Sequence, residues 1–157
     1  MNTDHDIARA IGRIPSGCAI LTAKTGTRRT GMLASWMQQA AFEPPMISVA
    51  VRCGRPIEAI IDESGHFIAN ILSDNPGPMF KHFGKGFALD EEAFAGLAVK
   101  DHAAGIIISD QVAWLAGKLR GKHSAGDHFI YLAEVIDAGA TPDGKPYVHL
   151  RENGLSY

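Results

Sequence analysis

The sequence predicts a mainly β protein: an antiparallel β-barrel, closed or nearly closed, with a few short helices on its outside. Three observations carry that expectation. Six or seven segments have the length and apolar content of strands, the first three are separated by only about 4 to 9 residues, and few segments have helical spacing. Links that short cannot hold the crossover helices of a parallel sheet, so the pairing has to be antiparallel. Many short strands with few helices close most readily as a barrel.

Thr3 or Asp4 can cap a first helix, whose Ile7, Ala10, Ile11 and Ile14 recur at three-to-four spacing until Pro15 and Gly17 stop it. Strands are expected over 18–24, 29–36 and 46–52, with "TGTRR" (25–29) as the first hairpin loop, where Gly26 supplies backbone freedom. A Pro-Pro corner separates the second strand from the third. In "RPIEAIIDESG", Ile57, Ile60 and Ile61 share one face, Pro56 sits near the first turn and Gly65 follows the end, which specifies a short amphipathic helix. A strand at 66–72 follows. From 73 to about 103 the pattern is irregular and reads as a helical turn within a long loop, a length usually kept for functional or mobile segments. Further strands are expected over 105–109, 113–124 and 128–140, and a Pro-Asp-Gly turn leads to a last short strand within the closing "TPDGKPYVHLRENGLSY".

A chain of 157 residues fits one domain covering 1–157, because a chain of about 150 residues hides roughly two-thirds of its unfolded surface. With 15 Lys and Arg against 17 Asp and Glu, the formal charge of −2 offers no basic footprint for nucleic acid. The N-terminal stretch is polar and acidic rather than signal-like, and no apolar run approaches the roughly 20 residues of a membrane span. A cytoplasmic protein without membrane attachment is expected. Cys18 and Cys53 lack the spacing of a zinc site and read as small buried thiols in strands. No G-x-G-x-x-G, P-loop, H-E-x-x-H or G-x-S-x-G motif is present, so nucleotide folds of the Rossmann type, zinc proteolysis and serine hydrolysis find no support, and no metal ligands are assigned.

Three segments carry candidate chemistry. In "RTGMLASW" (29–36), alternation sets Thr30, Met32, Ala34 and Trp36 on one face and Gly31, Leu33 and Ser35 on the other, so neither face is cleanly apolar. This is either a barrel strand with satisfied hydroxyls or one in which Gly31 and Ala34 leave room for a flat ligand while Thr30 and Ser35 bond its polar edge. In "GKHSAGDHFIYLAEV" (121–135), a small-residue turn presents Asp127 and His128 at a strand start, where His128 can stand over the barrel mouth. In "KHFGKGF" (81–87), Lys81, His82 and Lys85 flank Phe83 and Phe87, either as a solvated face or as a lid over an anionic ligand.

These segments, in this order, resemble the flavin reductase-like family, as do "IGRIPSGCAILTAK", "GRPIEAIIDESGHFIANIL" and the closing "DGKPYVHLRENGLSY". The match covers nearly the whole chain and is similar to the flavin-reductase modules of diiron oxygen-reducing flavoproteins. The fold it implies is the FMN-binding split barrel, an antiparallel split β-barrel of Greek-key type with a few peripheral helices. The resemblance implies that Thr30, Gly31, Met32, Leu33, Ala34, Ser35 and Trp36 line the flavin ring. It places Ser48, Val49, Ala50, Val51, Arg52 and Arg55 near the ribityl phosphate, with Arg52 and Arg55 as phosphate partners, and adds His82, Phe83 and Lys85 to the site. His128, in the "GDH" turn, is the implied catalytic residue beside ring and nicotinamide. The chain departs from many members in "ASWMQQA", where Trp36 and Gln38 replace an Asn and a second hydroxyl.

The activity implied is hydride transfer from NADH or NADPH to FMN, with FAD the alternative flavin; the cofactor carries the electronic chemistry and the protein supplies stacking, charge and shielding. Reduced flavin or electrons would pass to a monooxygenase or another electron acceptor. The other readings are an FMN-binding electron carrier reduced by a partner protein, and a flavin-binding module without turnover. A homodimer is expected, because "MISVAV" is apolar on both faces and asks for cover beyond one small barrel.

Overall fold

The computed structural model describes residues 3–156. In chain order the elements are α1 (Thr3–Gly12), β1 (Ser16–Thr25), β2 (Arg28–Ala41), β3 (Met46–Arg52), α2 (Ile57–Ser64), β4 (His66–Ile71), α3 (Gly77–Phe83), β5 (Val99–His102), β6 (Gly105–Ile108), β7 (Ala113–Ala125), β8 (His128–Ala140) and β9 (Val148–His149). Six of the strands form an antiparallel ring in the order β2-β3-β8-β7-β4-β1, and pairing of β1 with β2 closes it. The expected mainly β barrel is therefore observed, closed, with its helices outside the ring of strands. No helix among the described residues is long and apolar enough to cross a membrane.

Barrel closure follows from how the strands distribute their side chains. Along β1, Ala19, Leu21 and Ala23 enter the cluster inside the barrel together with Val49, Val51, Phe67, Ala69, Tyr131 and Ala133, while α2 adds Ile57, Ile60 and Ile61. The alternate residues Cys18 and Ile20 enter a second cluster with Leu72, Met79, Phe83, Phe94, Ile106 and Ile108, contributed by β4's end, α3, the following loop and β6. Both faces of β1 are thus covered, which is why 18–24 reads as an unbroken apolar run. In β3 only Ile47, Val49 and Val51 are buried, so that strand is buried on one face and half-exposed on the other.

β5 and β6 form a separate hairpin that joins no ladder of the barrel. Two buried polar side chains dock it. Thr22 Oγ1 donates to the Ile106 carbonyl at 2.6 Å and accepts from the Ile106 N–H at 3.0 Å. Asn70 Nδ2 donates to the carbonyls of Ile20 and Ile106 at 3.2 and 3.1 Å, and its Oδ1 accepts from the Ile108 N–H at 2.9 Å. Side chains thus do what a strand ladder would otherwise do, and every polar atom of that seam is partnered.

Several local expectations are refined. The first helix begins at Thr3, so Thr3 and Asp4 lie inside it rather than before it. The first hairpin is tighter than expected, with Thr25 opposite Arg28 across Gly26 at φ 56°. β2 runs to Ala41 rather than Trp36, through exposed, polar Gln38 and Gln39 that give no apolar signal. The stretch 73–103 contains a helix, α3, and also the unexpected β5, whose sequence VKDH is polar because it lies at an edge. α2 ends as expected: Gly65 takes the left-handed conformation at φ 71° and donates to the Ile61 carbonyl at 2.8 Å. Cys53 is exposed in the turn after β3, which corrects the expectation of two buried thiols; only Cys18 is buried.

Removing the Asn70 side chain leaves the buried Ile108 N–H without that acceptor and takes one donor from each of the Ile20 and Ile106 carbonyls, the latter keeping Thr22. Asn70→Ala is therefore expected to cost about 2 to 4 kcal/mol. Urea unfolding should show a lowered midpoint at unchanged slope, and a loss below 1 kcal/mol would mean that β6 docks without this bond set.

Candidate functional site

The site is made by an irregularity in β2. Its first half pairs with β1 as far as Ala34 opposite Ala19, and pairing resumes with Met37 opposite Gly17, so Ser35 and Trp36 face the single residue Cys18. From Met37, which pairs with both Gly17 and Val49, the strand runs on along β3. This bulge breaks the two-residue alternation. Met32, Leu33, Ala34, Ser35 and Trp36, five successive residues, all line one cavity of about 340 Å³. The Ser16 hydroxyl holds the bulge by donating to the Ser35 carbonyl.

The rest of the cavity wall comes from Ala50 and Arg52 of β3, Arg55 of the turn before α2, Phe80 and Phe83 of α3, Gly84 and Gly86 beyond it, His128 of β8 and His149 of β9. A second hollow of about 320 Å³ adjoins it, sharing Met32, Arg55 and Gly86, and is walled by Thr30, Gly31, Ile57, Lys85 and Phe87 among others. Arg55 therefore stands at the junction of two hollows, and neither Arg52 nor Arg55 forms an ion pair with a described carboxylate. The turn carrying Arg55 is fixed by Glu58, which accepts from the Gly54 and Arg55 N–H groups at 2.5 and 3.2 Å.

Of the residues singled out from the sequence, Met32 to Trp36, Ala50, Arg52, Arg55, Phe83 and His128 come together in the larger hollow, and Thr30, Gly31 and Lys85 in the smaller. Four do not line either. Val49 and Val51 point into the barrel core because they alternate with Ala50, and Ser48, one pleat from Ala50, is also outside. His82 instead bonds the Ala93 carbonyl through Nε2 at 2.8 Å, which ties α3 to the loop. Gly31 also has a packing reason to lack a side chain. A Cβ there would lie 2.9 Å from Phe83 Cε1 and 3.4 Å from Phe94 Cε1, so the missing side chain makes room for two aromatic rings of the protein.

His128 also differs from expectation. It is only 7% exposed, rather than standing over the barrel mouth. Its ring lies 4.6 Å from that of Trp36, and Nδ1 is 2.6 Å from Asp127 Oδ1. That hydrogen bond holds the Asp127 carboxyl below its ordinary range, with the charges of His128 and Arg52 assisting. An ionised Asp127 accepts from Nδ1–H and leaves Nε2 as the second functional nitrogen.

Cys18 and His149 also line the cavity, without a local sequence pattern that marks them for it. Burial pushes the Cys18 thiol up to about 11, so it forms a neutral part of the wall. β9 pairs with Ser16 and Gly17, beside the bulge, and brings His149 to the cavity. Burial, then the charge of Arg151, lowers the His149 pKa and favours the neutral ring. Both of its ring nitrogens are shielded and lack a hydrogen-bond partner among the described residues. The closing segment was one of those that carried the resemblance, but only the β1–β9 pairing reveals which of its residues faces inward.

The family profile described as Flavin reductase like domain matches residues 11–154. The chain belongs to the flavin reductase-like family. Diflavin flavoprotein A 1 of Synechocystis sp. is 36% identical over 157 residues, covering 98% of this chain and 27% of that protein. This flavin reductase-like chain thus spans about a quarter of the length of the curated relatives it matches. Among solved structures, the NADH:FAD oxidoreductase SgcE6 of Streptomyces globisporus C-1027 superposes with a TM-score of 0.82 at 21% identity, over 92% of this chain and 86% of that one. An FMN-binding protein from Thermus thermophilus superposes with a TM-score of 0.74 at 17% identity, over 85% and 78% of the two chains. Both share the fold of this family member.

Proposed function

We propose that the chain binds FMN in the paired hollows and mediates its reduction by NADH or NADPH. The observation that carries this reading is the bulge-built cavity, which Met32 to Trp36 line together with His128 while Arg55 stands at the junction with the second hollow. Its size and apolar lining with a few convergent polar groups suit a planar ligand, and a cationic end suits a phosphate. The family membership supports a flavin, and the cofactor named for the Thermus thermophilus protein supports FMN, with FAD the alternative suggested by the Streptomyces globisporus enzyme. When bound, the flavin supplies the hydride acceptor.

The protein's own contribution is positional. Ala34 and Ala50 keep the wall thin, Phe80 and Phe83 exclude water from one side, and the buried His128, oriented by Asp127, offers Nε2 to a nicotinamide or flavin edge. Arg55 is the stronger phosphate candidate, because Arg52 already acts on Asp127. The diflavin flavoprotein relatives support a further step in which reduced flavin or electrons pass to an acceptor, whether a monooxygenase or an electron-transfer partner. The chain as a homodimer is supported by large apolar side chains left exposed, among them Ile7, Ile14, Phe42, Leu150 and Leu155. Light scattering at micromolar concentration should report twice the monomer mass of 16.8 kDa, and a monomer that still holds flavin would refute the dimer.

A charge-assisted contact to phosphate is worth about 1.5 to 3 kcal/mol, so Arg55→Ala should weaken FMN roughly tenfold or more and leave riboflavin affinity nearly unchanged. Arg52→Ala should have the smaller effect. Equal losses for FMN and riboflavin would remove Arg55 from the phosphate.

His128→Ala should retain FMN but slow its reduction about ten- to a hundredfold, equivalent to roughly 1.4 to 2.7 kcal/mol of barrier. The measurement is single-turnover bleaching of the FMN-loaded protein at saturating NADH and NADPH, beside an FMN titration. An unchanged rate would leave His128 a packing partner of Trp36, and a wild-type protein that neither nucleotide bleaches would be an electron carrier served by another protein.

A further inference from the structure

A further cleft lies outside the cavity. It has a volume of about 600 Å³ and runs between α1 and the segment after β9, where Gly12 accepts from the Arg151 N–H at 3.3 Å and Ala8 accepts from the Gly154 N–H at 2.7 Å. His5 and Arg9 of α1 and Arg13 just beyond it line the cleft, with Arg151 and Glu152 opposite. Positions 5, 9 and 12 share one side of a helix, whereas Ile7 lies on the other. α1 therefore presents His5 and Arg9 to the cleft, while Ile11 packs against Gly154 of the C-terminal segment. Arg9 and Arg13 are exposed and make no ion pair with a described carboxylate.

The cleft and the cavity are one side chain apart. The Arg151 guanidinium carbon is 4.9 Å from the centre of the Trp36 ring, and Trp36 in turn is 4.6 Å from the His128 ring. Cations thus flank the apolar cavity on two sides, with Arg55 at one and the cleft arginines beyond Trp36 at the other. One mononucleotide phosphate can occupy only one of these places.

We infer that the cleft between α1 and the C-terminal segment binds the adenosine pyrophosphate half of a dinucleotide whose other half enters the cavity. This rests on the flavin reading above. Arg9 and Arg13, with Arg151, face the pyrophosphate, and the Glu152 carboxylate accepts from ribose hydroxyls or the adenine amino group. The adenosine pyrophosphate can come from NADH, with its nicotinamide beside His128, or from FAD in place of FMN.

The test uses the full chain and the double variant Arg9→Ala/Arg13→Ala. Calorimetry with ADP as probe requires neither flavin nor turnover: ADP should bind the wild type, and the variant should bind it roughly tenfold more weakly, as expected for the loss of two exposed charged contacts. If the source is NADH, the variant's KM for NADH rises about tenfold while that for reduced nicotinamide mononucleotide does not. If it is FAD, the variant loses affinity for FAD and not for FMN. Binding of ADP that is absent, or equal in wild type and variant, would overturn the proposal. A wild type that no nicotinamide reduces, yet binds ADP through these arginines, would defeat the reductase reading while supporting the cleft.

Discussion

A strand that pairs with β1 as far as Ala34 and with β3 from Met37 onward has to turn between the two, and here Ser35 and Trp36 make that turn against the single residue Cys18. The bulge does two things at once. It bends β2 so that a six-stranded ring can close. It suspends the alternation of faces, so that five successive side chains look into one cavity. On the other edge of β1, β4 pairs only from Ala19, which leaves Ser16 and Gly17 to β9 and brings His149 to the same wall. Closure and site formation are consequently one event in this fold.

The outer layer depends on β1 and β4 in a different way. Their outward residues Thr22 and Asn70 are polar and fully buried, yet the seam to β6 is satisfied because each pairs with backbone groups of Ile106 or Ile108. Such bonds are directional, and an apolar contact would let the hairpin slide. With β6 fixed, Ile106 and Ile108 pack in the cluster that also holds Phe83 and Phe94, and these rings fill the space left by Gly31. α3, and with it the Phe80 and Phe83 wall, is thereby tied back to the barrel.

Charge is distributed around this scaffold rather than within it. The barrel interior holds apolar residues, whereas Arg52 and Arg55 sit at the ends and turns that border the hollows. The one buried imidazole beside Trp36 has its partner in sequence, Asp127, through a hydrogen bond of 2.6 Å. A carboxylate next to a buried ring costs less than an isolated charge, because it stays exposed to water while the ring does not. The result is an apolar hollow with polar groups at its rim.

Much of the fold was legible because the signals were local. Short links between apolar runs dictated antiparallel pairing, the Ile57, Ile60 and Ile61 stripe with Gly65 dictated α2, and the ordered segments carried the family. What the alternation of "RTGMLASW" could not convey was the bulge, because a bulge exists only between two strands and Cys18 lies seventeen residues from Ser35. The burial of His128 beneath Trp36, the filling of the Gly31 gap by Phe83 and Phe94, and the arrival of His149 are likewise pairwise facts. Most elements and their kind are set locally, β5 excepted, since periodicity and turn chemistry act over a few residues. Only the tertiary structure decided which side chains share the cavity, because barrel closure joins β1, β2, β3, β8 and β9 across separations that no local pattern records.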